Sequence, residues 1–318
     1  MGLALTLSFP EYSRLVPLAL GDVKPEGIDL TWVRGVRANM LALAIGDAKV
    51  QGGEHSLAQH LYRIAKGDRS HVGLPVFPLR NFGVRDIFVR RGAGPAMAAD
   101  LVGARVGMYS WTASGSVWYR HLLRHLGVGV DKVKWTIGSI DEPSPATPPA
   151  LPAGIVAAPA GRALSEMLAA GDLDAIISPQ RPRGFDVARG PLARMFPDFP
   201  AIERRYFEAT RCYPPQHLVI LRRAAVEANP WILRNLQAMF EAAERSFVAN
   251  QRMFPYASPW LEADVDATDV AMGPEYHAHG FEANRHQIDQ FCAEAHALGL
   301  VPRKLAADEL FAEFLKSG

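Results

Sequence analysis

The stretch Val72-Gly-Leu-Pro-Val-Phe-Pro-Leu-Arg-Asn-Phe-Gly-Val-Arg-Asp-Ile-Phe-Val-Arg-Arg91 decides how the chain is read. Two apolar runs, Val72–Phe77 and Val84–Arg90, read as strands, and Arg80, Asn81 and Arg85 sit at or near the connection between them. Pro75 and Pro78 fix the backbone and remove two amide donors, so the connection cannot simply extend the first strand. A stiff loop holds a guanidinium in place, and a planar guanidinium grips a carboxylate with two parallel hydrogen bonds. Arg80 is therefore the first candidate for binding a ligand carboxylate, with Arg14 second and Arg85 beside them. A structural carboxylate would serve any one of these arginines as well.

Outward from this loop the chain alternates strand and helix. Leu3–Ser8 and Ile28–Val33 read as strands, Asn39–Ile45 as a helix and Lys49–Gln51 as a short strand. Ser56–Lys66 is an amphipathic helix: Leu57, Leu61 and Ile64 fall at helical spacing, Ser56 is placed as N-cap and Gly67 follows the end. Gly92-Ala-Gly-Pro95 is a breaker cluster, after which the pattern restarts. Ala104–Tyr109, Lys132–Ile137, Ile155–Ala157 and Asp174–Ile177 read as strands, Val117–Leu126 and Ala163–Ala169 as helices, and the proline-dense Asp141–Pro152 as irregular. A strand returns at His217–Leu221, and the rest is helical: one helix begins at Pro230, then come Asn284–Leu298 and Ala306–Leu315.

Such alternation argues for an α/β fold with mixed, mainly parallel sheets. Its expected plan is two-lobed with a hinge and a cleft, the second unit being inserted into the first: lobe 1 over 1–90 and 213–318, lobe 2 over 91–212. Ligands of open α/β sheets lie beyond the carboxyl ends of the strands. The loops expected there are Phe9–Arg14, Gly52–Ser56, Pro78–Phe82, Ser110–Ser116, Ser178–Arg183 and Pro214–His217.

Composition narrows the function classes. Of 318 residues, 49% are hydrophobic and 21% charged, and 34 basic side chains balance 33 acidic ones. A formal charge of +1 gives no reason to expect nucleic acid or an acidic membrane as partner. The two cysteines, Cys212 and Cys292, form neither a disulfide framework nor a C-x-x-C ligand pair and suit a reducing compartment. The apolar N-terminus has no basic region before it, and Leu3, Leu5 and Leu7 alternate as in a buried strand. No run reaches the ~20 apolar residues of a membrane span. A cytoplasmic location follows as the expectation, and assembly with further copies of the chain is left open.

Several side chains on these loops could do chemistry. His217 opens a strand, and histidine is the residue type whose ordinary range suits a general acid or base. Glu54 and His55 follow a short strand and a Gly-Gly pair that reads as a turn, so both are candidates for the same proton-transfer site; solvated loop residues would look the same. Thr112, Ser114 and Ser116 precede a helix whose free amides form a natural anion site, though N-capping would account for one of them. Trp111 could stack on an aromatic ligand, while core packing suits Trp118. Ser178 and Arg181 lie on another loop of the set. Two histidine pairs, His121/His125 and His277/His279, lack a carboxylate at ligand spacing and read as surface or interface, so no metal site is expected. Neither a phosphate-binding glycine loop nor a pyridoxal-type lysine site is present, and no cofactor is expected.

The same loops resemble those of the 4,5-dihydroxyphthalate decarboxylase family. The resemblance runs through Pro75-Val-Phe-Pro-Leu-Arg80, Asp86-Ile-Phe-Val89, Asp100-Leu-Val-Gly-Ala-Arg-Val-Gly107, Tyr109-Ser-Trp-Thr-Ala113 and Trp118-Tyr-Arg120. It continues in Ala170-Gly-Asp-Leu-Asp-Ala175, Asn229-Pro-Trp231 and Gly299-Leu-Val-Pro-Arg303, covering nearly the whole chain in order. It implies a fold similar to the type 2 periplasmic binding proteins, a small aromatic carboxylate as partner, and a family position for His217. Two segments depart from the family pattern. Thr210-Arg-Cys-Tyr-Pro-Pro-Gln-His217 stands where the family tends to have Thr-Gly-hydrophobic-aromatic-Pro-hydrophobic-Met-His, and Met272-Gly-Pro-Glu275 where it has Gly-Asp-Asp-Pro. The first departure brings the charged Arg211 and polar Gln216 toward the expected ligand.

The resemblance implies a cofactor-independent decarboxylase acting on a hydroxylated aromatic dicarboxylic acid such as 4,5-dihydroxyphthalate. Such a reaction needs a general acid near the ring carbon, an acceptor for the phenol and cations for the retained carboxylate. The competing reading is a non-catalytic small-acid binding protein on the same fold. A weaker third, a pyrimidine-forming biosynthetic enzyme, would want a more histidine- or cysteine-rich site.

Overall fold

The computed structural model describes residues 2–147 and 150–317, so Pro148 and Pro149 of the proline-dense stretch lie outside the described residues. Eleven strands are formed among them: β1 (Leu3–Pro10), β2 (Ile28–Gly35), β3 (Gly52–Ser56), β4 (His71–Leu74), β5 (Ile87–Arg90), β6 (Arg105–Met108), β7 (Lys134–Ile137), β8 (Val156–Ala157), β9 (Ala175–Ile177), β10 (Leu192–Arg194) and β11 (His217–Arg222). They build two sheets, ordered β2-β1-β3-β11-β4 and β10-β5-β9-β6-β7-β8. In the first, β1 is parallel to β2 and β3, and β11 runs antiparallel between β3 and β4. In the second, β9, β6, β7 and β8 are parallel, while β5 runs antiparallel between β9 and β10.

The chain divides into two compact units, residues 1–81 with 212–318 and residues 82–211. This moves the boundary expected after residue 90. Pro75 ends the first strand of the opening stretch at Leu74, and Val84–Asp86 turns as a 3-10 helix before β5. β5 then pairs with β9 and β10, which places it in the second unit. Proline's missing amide accounts for the early end of β4.

A second correction sets the site. The short strand expected at Lys49–Gln51 lies instead at Gly52–Ser56, because Gly52 and Gly53 are strand residues and not a turn. A Cβ on Gly52 would lie 2.2 Å from the Ile220 carbonyl oxygen of β11, and one on Gly53 2.2 Å from the Ser8 carbonyl oxygen of β1. The missing side chains let both neighbouring strands approach closely, a recognised use of glycine inside a sheet. Behind β3, Ser56 caps the helix Leu57–Ala65, its hydroxyl accepting from the Gln59 amide at 3.4 Å. That helix buries Leu57, Leu61 and Ile64 as its spacing predicts.

In the first unit, Phe9 of β1 is fully buried and stacks on Trp32 of β2 at 4.4 Å between centroids, with Phe240 tilted against both. Phe240 belongs to the helix Ile232–Met253, whose buried stripe is Ile232, Leu233, Leu236, Met239, Phe240 and Ala243. In the second unit, Phe88, Leu164, Leu168, Leu173, Ile176 and Leu192 form the cluster beneath the sheet. The helix Phe199–Thr210 ends at Arg211 with φ 52°, the left-handed conformation in which a Cβ is strained. This is the position where the family pattern tends to carry glycine. Among the described residues, no helix is long and apolar enough to cross a membrane.

Candidate functional site

β3 carries the first cluster. Side chains alternate across a strand, so Glu54 and Ser56 share one face and His55 takes the other. Antiparallel β11 pairs His217 with Ser56, and Leu218 with His55. Directly opposed residues share a face, and His217 therefore stands diagonally beside Glu54. His217 Nδ1 is hydrogen-bonded to Glu54 Oε1, which also accepts from the Tyr12 hydroxyl at 2.7 Å. Glu54 is fully buried, and its Oε2 has no hydrogen-bond partner among the described residues.

The arrangement orders the protons. A carboxylate only accepts, so Nδ1 of His217 carries the proton and the lone pair of the neutral ring lies on Nε2. With Nδ1 turned to Glu54, Nε2 forms the opposite edge of a side chain that retains 13% exposure. Burial, and secondly the charge of Glu54, push the Tyr12 phenol above its ordinary range, so Tyr12 stays a donor. Tyr12 is the member that sequence reading missed, although it lies within the expected loop Phe9–Arg14; nothing local marks a tyrosine as a partner for a residue 42 positions away.

His55 does not share this site, contrary to expectation. It points to the opposite face of the sheet, where both ring nitrogens are buried without hydrogen-bond partners among the described residues. Burial, followed by the neighbouring His60, lowers its pKa to about 3.

Arg80 is placed by its proline-flanked loop as expected, but its fork is already engaged by the protein. One terminal nitrogen donates to the Tyr213 carbonyl at 3.1 Å and to Gln287 Oε1 at 3.3 Å. The other donates to the Ala278 carbonyl at 3.1 Å and to Asn284 Oδ1. The buried guanidinium lies 5.0 Å from the Phe77 ring centroid, and its burial lowers its pKa to about 10. These bonds tie residues 213, 278, 284 and 287 to one cation. Gln216, also buried, is 3.5 Å from the Asn81 carbonyl.

Arg14 joins a second cluster in the same unit. It pairs with Glu244, donates to the Tyr276 hydroxyl at 3.1 Å, and lies 5.2 Å from the Phe247 ring centroid. His277 and His279 complete the group, and each offers a ligand atom within 4.8 Å of one on Glu244. Both histidines are buried, which corrects their reading as surface or interface. Burial first, then Arg14 and Arg80, lower His277 well below its usual value; burial, then Arg80 and Arg14, lower His279 to about 3. The carboxylate that spacing did not supply comes from Glu244, one turn after Phe240 on the apolar stripe of its helix. An acid on a buried stripe is the signal that could have found it.

In the second unit the expected residues keep mostly local company. Trp111 is buried, covered by the Arg120 guanidinium 4.0 Å from its ring centroid and set edge-on to Trp135. One face of the indole is thus already occupied. Thr112 is exposed and Ser114 buried in the first turn of the helix Ser114–His125. The Ser110 hydroxyl takes the amides of Thr112 and Ala113 at 3.3 and 3.2 Å, so part of the expected anion site is self-satisfied. The Ser178 hydroxyl donates to the Gln180 carbonyl and accepts from its amide. Arg181 is exposed, 5.6 Å from the Phe185 centroid. Arg85 is half-exposed beside Asp86, and its amide donates to Glu203, a carboxyl that burial pushes up to about 7. His121 meets the Tyr206 hydroxyl at 2.8 Å, and His125 sets its ring against the same tyrosine.

Comparison with known proteins bears on both fold and family. No family model matches the chain. The fold is that of the periplasmic binding proteins: the aliphatic sulphonate binding protein SsuA of Escherichia coli aligns over 98% of this chain and 100% of its own, at a TM-score of 0.57 and 17% identity. A 4,5-dihydroxyphthalate decarboxylase of Comamonas testosteroni is 29% identical over 317 residues, 97% of this chain and 96% of that protein. A second protein of the same name, from Pseudomonas putida, is 30% identical over 201 residues, 62% of this chain and 78% of the relative. Those relatives are carboxy-lyases, and with sequence similarity running almost end to end the chain belongs to the 4,5-dihydroxyphthalate decarboxylase family.

Proposed function

We propose that this protein is a carboxy-lyase that releases carbon dioxide from a hydroxylated aromatic dicarboxylic acid of the 4,5-dihydroxyphthalate type, with His217 moving the proton. The observation that carries the reading is the Tyr12–Glu54–His217 hydrogen-bond chain built on the buried Glu54. It supplies an imidazole with a defined tautomer and a counter-charge for its protonated form, the two requirements of a general acid at neutral pH.

The substrate itself can store the electrons. A hydroxyl para to a carboxylate loses its proton to solvent and, as the phenolate, pushes an electron pair to the ring carbon bearing that carboxylate. His217, protonated at Nε2, delivers its proton to this carbon and is left neutral. The bond to the carboxylate then breaks, its electron pair restores the aromatic ring, and carbon dioxide departs. Solvent then returns one proton to the phenolate and one to His217, so the net change is uptake of one proton and loss of carbon dioxide, giving a dihydroxybenzoate. This step draws on no organic cofactor. Glu54 stabilises the imidazolium before transfer, and Tyr12 fixes the carboxylate that does so.

The test compares two acids differing only in the hydroxyls. Purified protein is expected to release carbon dioxide from 4,5-dihydroxyphthalate and none from phthalate, which has no para phenolate to supply electrons. Release from both at similar rates would refute the ring-protonation route. Tight binding of 4,5-dihydroxyphthalate with no release would refute the enzyme reading and leave a small-acid binding protein.

A further inference from the structure

We propose that Glu244, His277 and His279 form a binding site for a divalent transition-metal ion of the zinc or cobalt kind. One ligand atom from each residue lies within 4.8 Å of the others. His277 Nδ1 is 3.6 Å from Glu244 Oε2 and, in a residue only 6% exposed, has no hydrogen-bond partner among the described residues. A buried nitrogen left without a partner is costly, and such groups call for an explanation in each structure. A metal ion taking up that lone pair supplies one.

The ligands are held in advance. The segment carrying both histidines is tied at Ala278, whose carbonyl accepts from Arg80 at 3.1 Å and from Asn284 Nδ2 at 3.0 Å. Asn284 also donates to the Gly280 carbonyl at 2.7 Å, and the Gly280 amide donates to the Pro75 carbonyl at 2.8 Å. Arg14 holds Glu244 by Oε1, which leaves Oε2 toward His277. Outer partners of this kind orient ligating side chains in metal sites. A cavity of about 470 Å³, lined in part by Glu244, Tyr276, His277 and His279, gives entry and room for a fourth ligand.

The donor set selects the ion. Two imidazoles and one carboxylate suit zinc, cobalt or nickel, and leave magnesium and calcium, which want oxygen, as poor fits. Arg14 and Arg80 oppose the added positive charge, so affinity is expected to be modest and the open position to favour an anion. His279 Nδ1 accepts a long bond from the Phe77 amide at 3.3 Å. Ligation through its Nε2 would put the ring proton on Nδ1 and displace that bond. The site lies just beyond Met272-Gly-Pro-Glu275, where the chain departs from the family pattern, and the inference does not rest on the decarboxylase reading.

Cobalt(II) titration of the full-length, chelator-treated protein reads the site without any activity. One equivalent is expected to bind with the strong visible absorption of a four- or five-coordinate ion. His277→Ala and His279→Ala should each weaken binding by at least about a hundredfold, more than loss of an outer partner costs. His121→Ala in the second unit should leave the spectrum unchanged. If an alanine variant unfolds by circular dichroism, His277→Gln keeps the volume while removing the imidazole and should lose the signal likewise. A wild-type spectrum no different from aqueous cobalt, or a signal that survives loss of both histidines, would overturn the proposal.

Discussion

Glu54→Gln is expected to lower the rate of carbon dioxide release by about a hundredfold or more, the usual scale for disabling a general acid. Charge decides the effect, because the substitution preserves shape. Glutamine can still accept from Tyr12, but it cannot neutralise an imidazolium at His217. A protonated His217 beside a neutral amide at the fully buried position 54 loses its counter-charge. Glutamine can also turn its amide nitrogen toward the ring, which would favour the tautomer with the proton on Nε2. Folding should survive, since glutamine keeps the shape and its amide oxygen can still accept from Tyr12. The rate is measured under single-turnover conditions, with circular dichroism as the folding control. A rate within a factor of a few of wild type would show that Glu54 acts only as a strut.

Stability is expected to fall steeply as pH drops from about 6.5 towards 4, driven by buried histidines in the first unit. His55 is lowered to about 3 by burial and then by His60, His60 to about 4 mainly by burial, and His279 to about 3 by burial and then by Arg80. The sign follows from proton uptake. At pH 7 these rings are neutral in both states. Below the ordinary histidine value near 6.5 the unfolded chain takes up protons that the folded chain refuses until pH 3 to 4. Within that window each ring contributes a slope of up to about 1.4 kcal/mol per pH unit. Three rings acting together would exceed the whole stability of an ordinary domain within a few pH units. Urea denaturation at stepped pH checks this: the midpoint should drop progressively from pH 6.5 downward, and His55→Phe should flatten the slope. A midpoint constant from pH 6.5 to 4.5 would contradict it.

What could be read from the sequence was mostly what is encoded locally. The helix Leu57–Ala65 is legible because its stripe, its Ser56 cap and Gly67 all lie within a dozen residues of one another. The candidate His217 is legible because it stands at a strand start and a family position. Gly52 and Gly53, by contrast, look like a turn, since the carbonyls of Ile220 and Ser8 that require them come from distant strands. That misreading put Glu54 and His55 together, whereas strand alternation separates them. The burial of His277 and His279 was invisible for a related reason. Spacing rules look for ligands on one element, while Glu244 arrives from another helix. Arg80 shows the converse: its rigid loop is apparent in the sequence, but the acceptors that fill its fork lie some 130 to 200 residues further on.

His217 is where the account is most exposed. The direct test is single-turnover decarboxylation of 4,5-dihydroxyphthalate by the wild type and by His217→Ala, with affinity for the same acid measured by calorimetry in parallel. If His217 delivers the proton, affinity should change by no more than the about 1 kcal/mol of a lost hydrogen bond, while the rate falls by about a hundredfold or more. Equal rates in the two proteins would contradict the assignment of His217 as the acid.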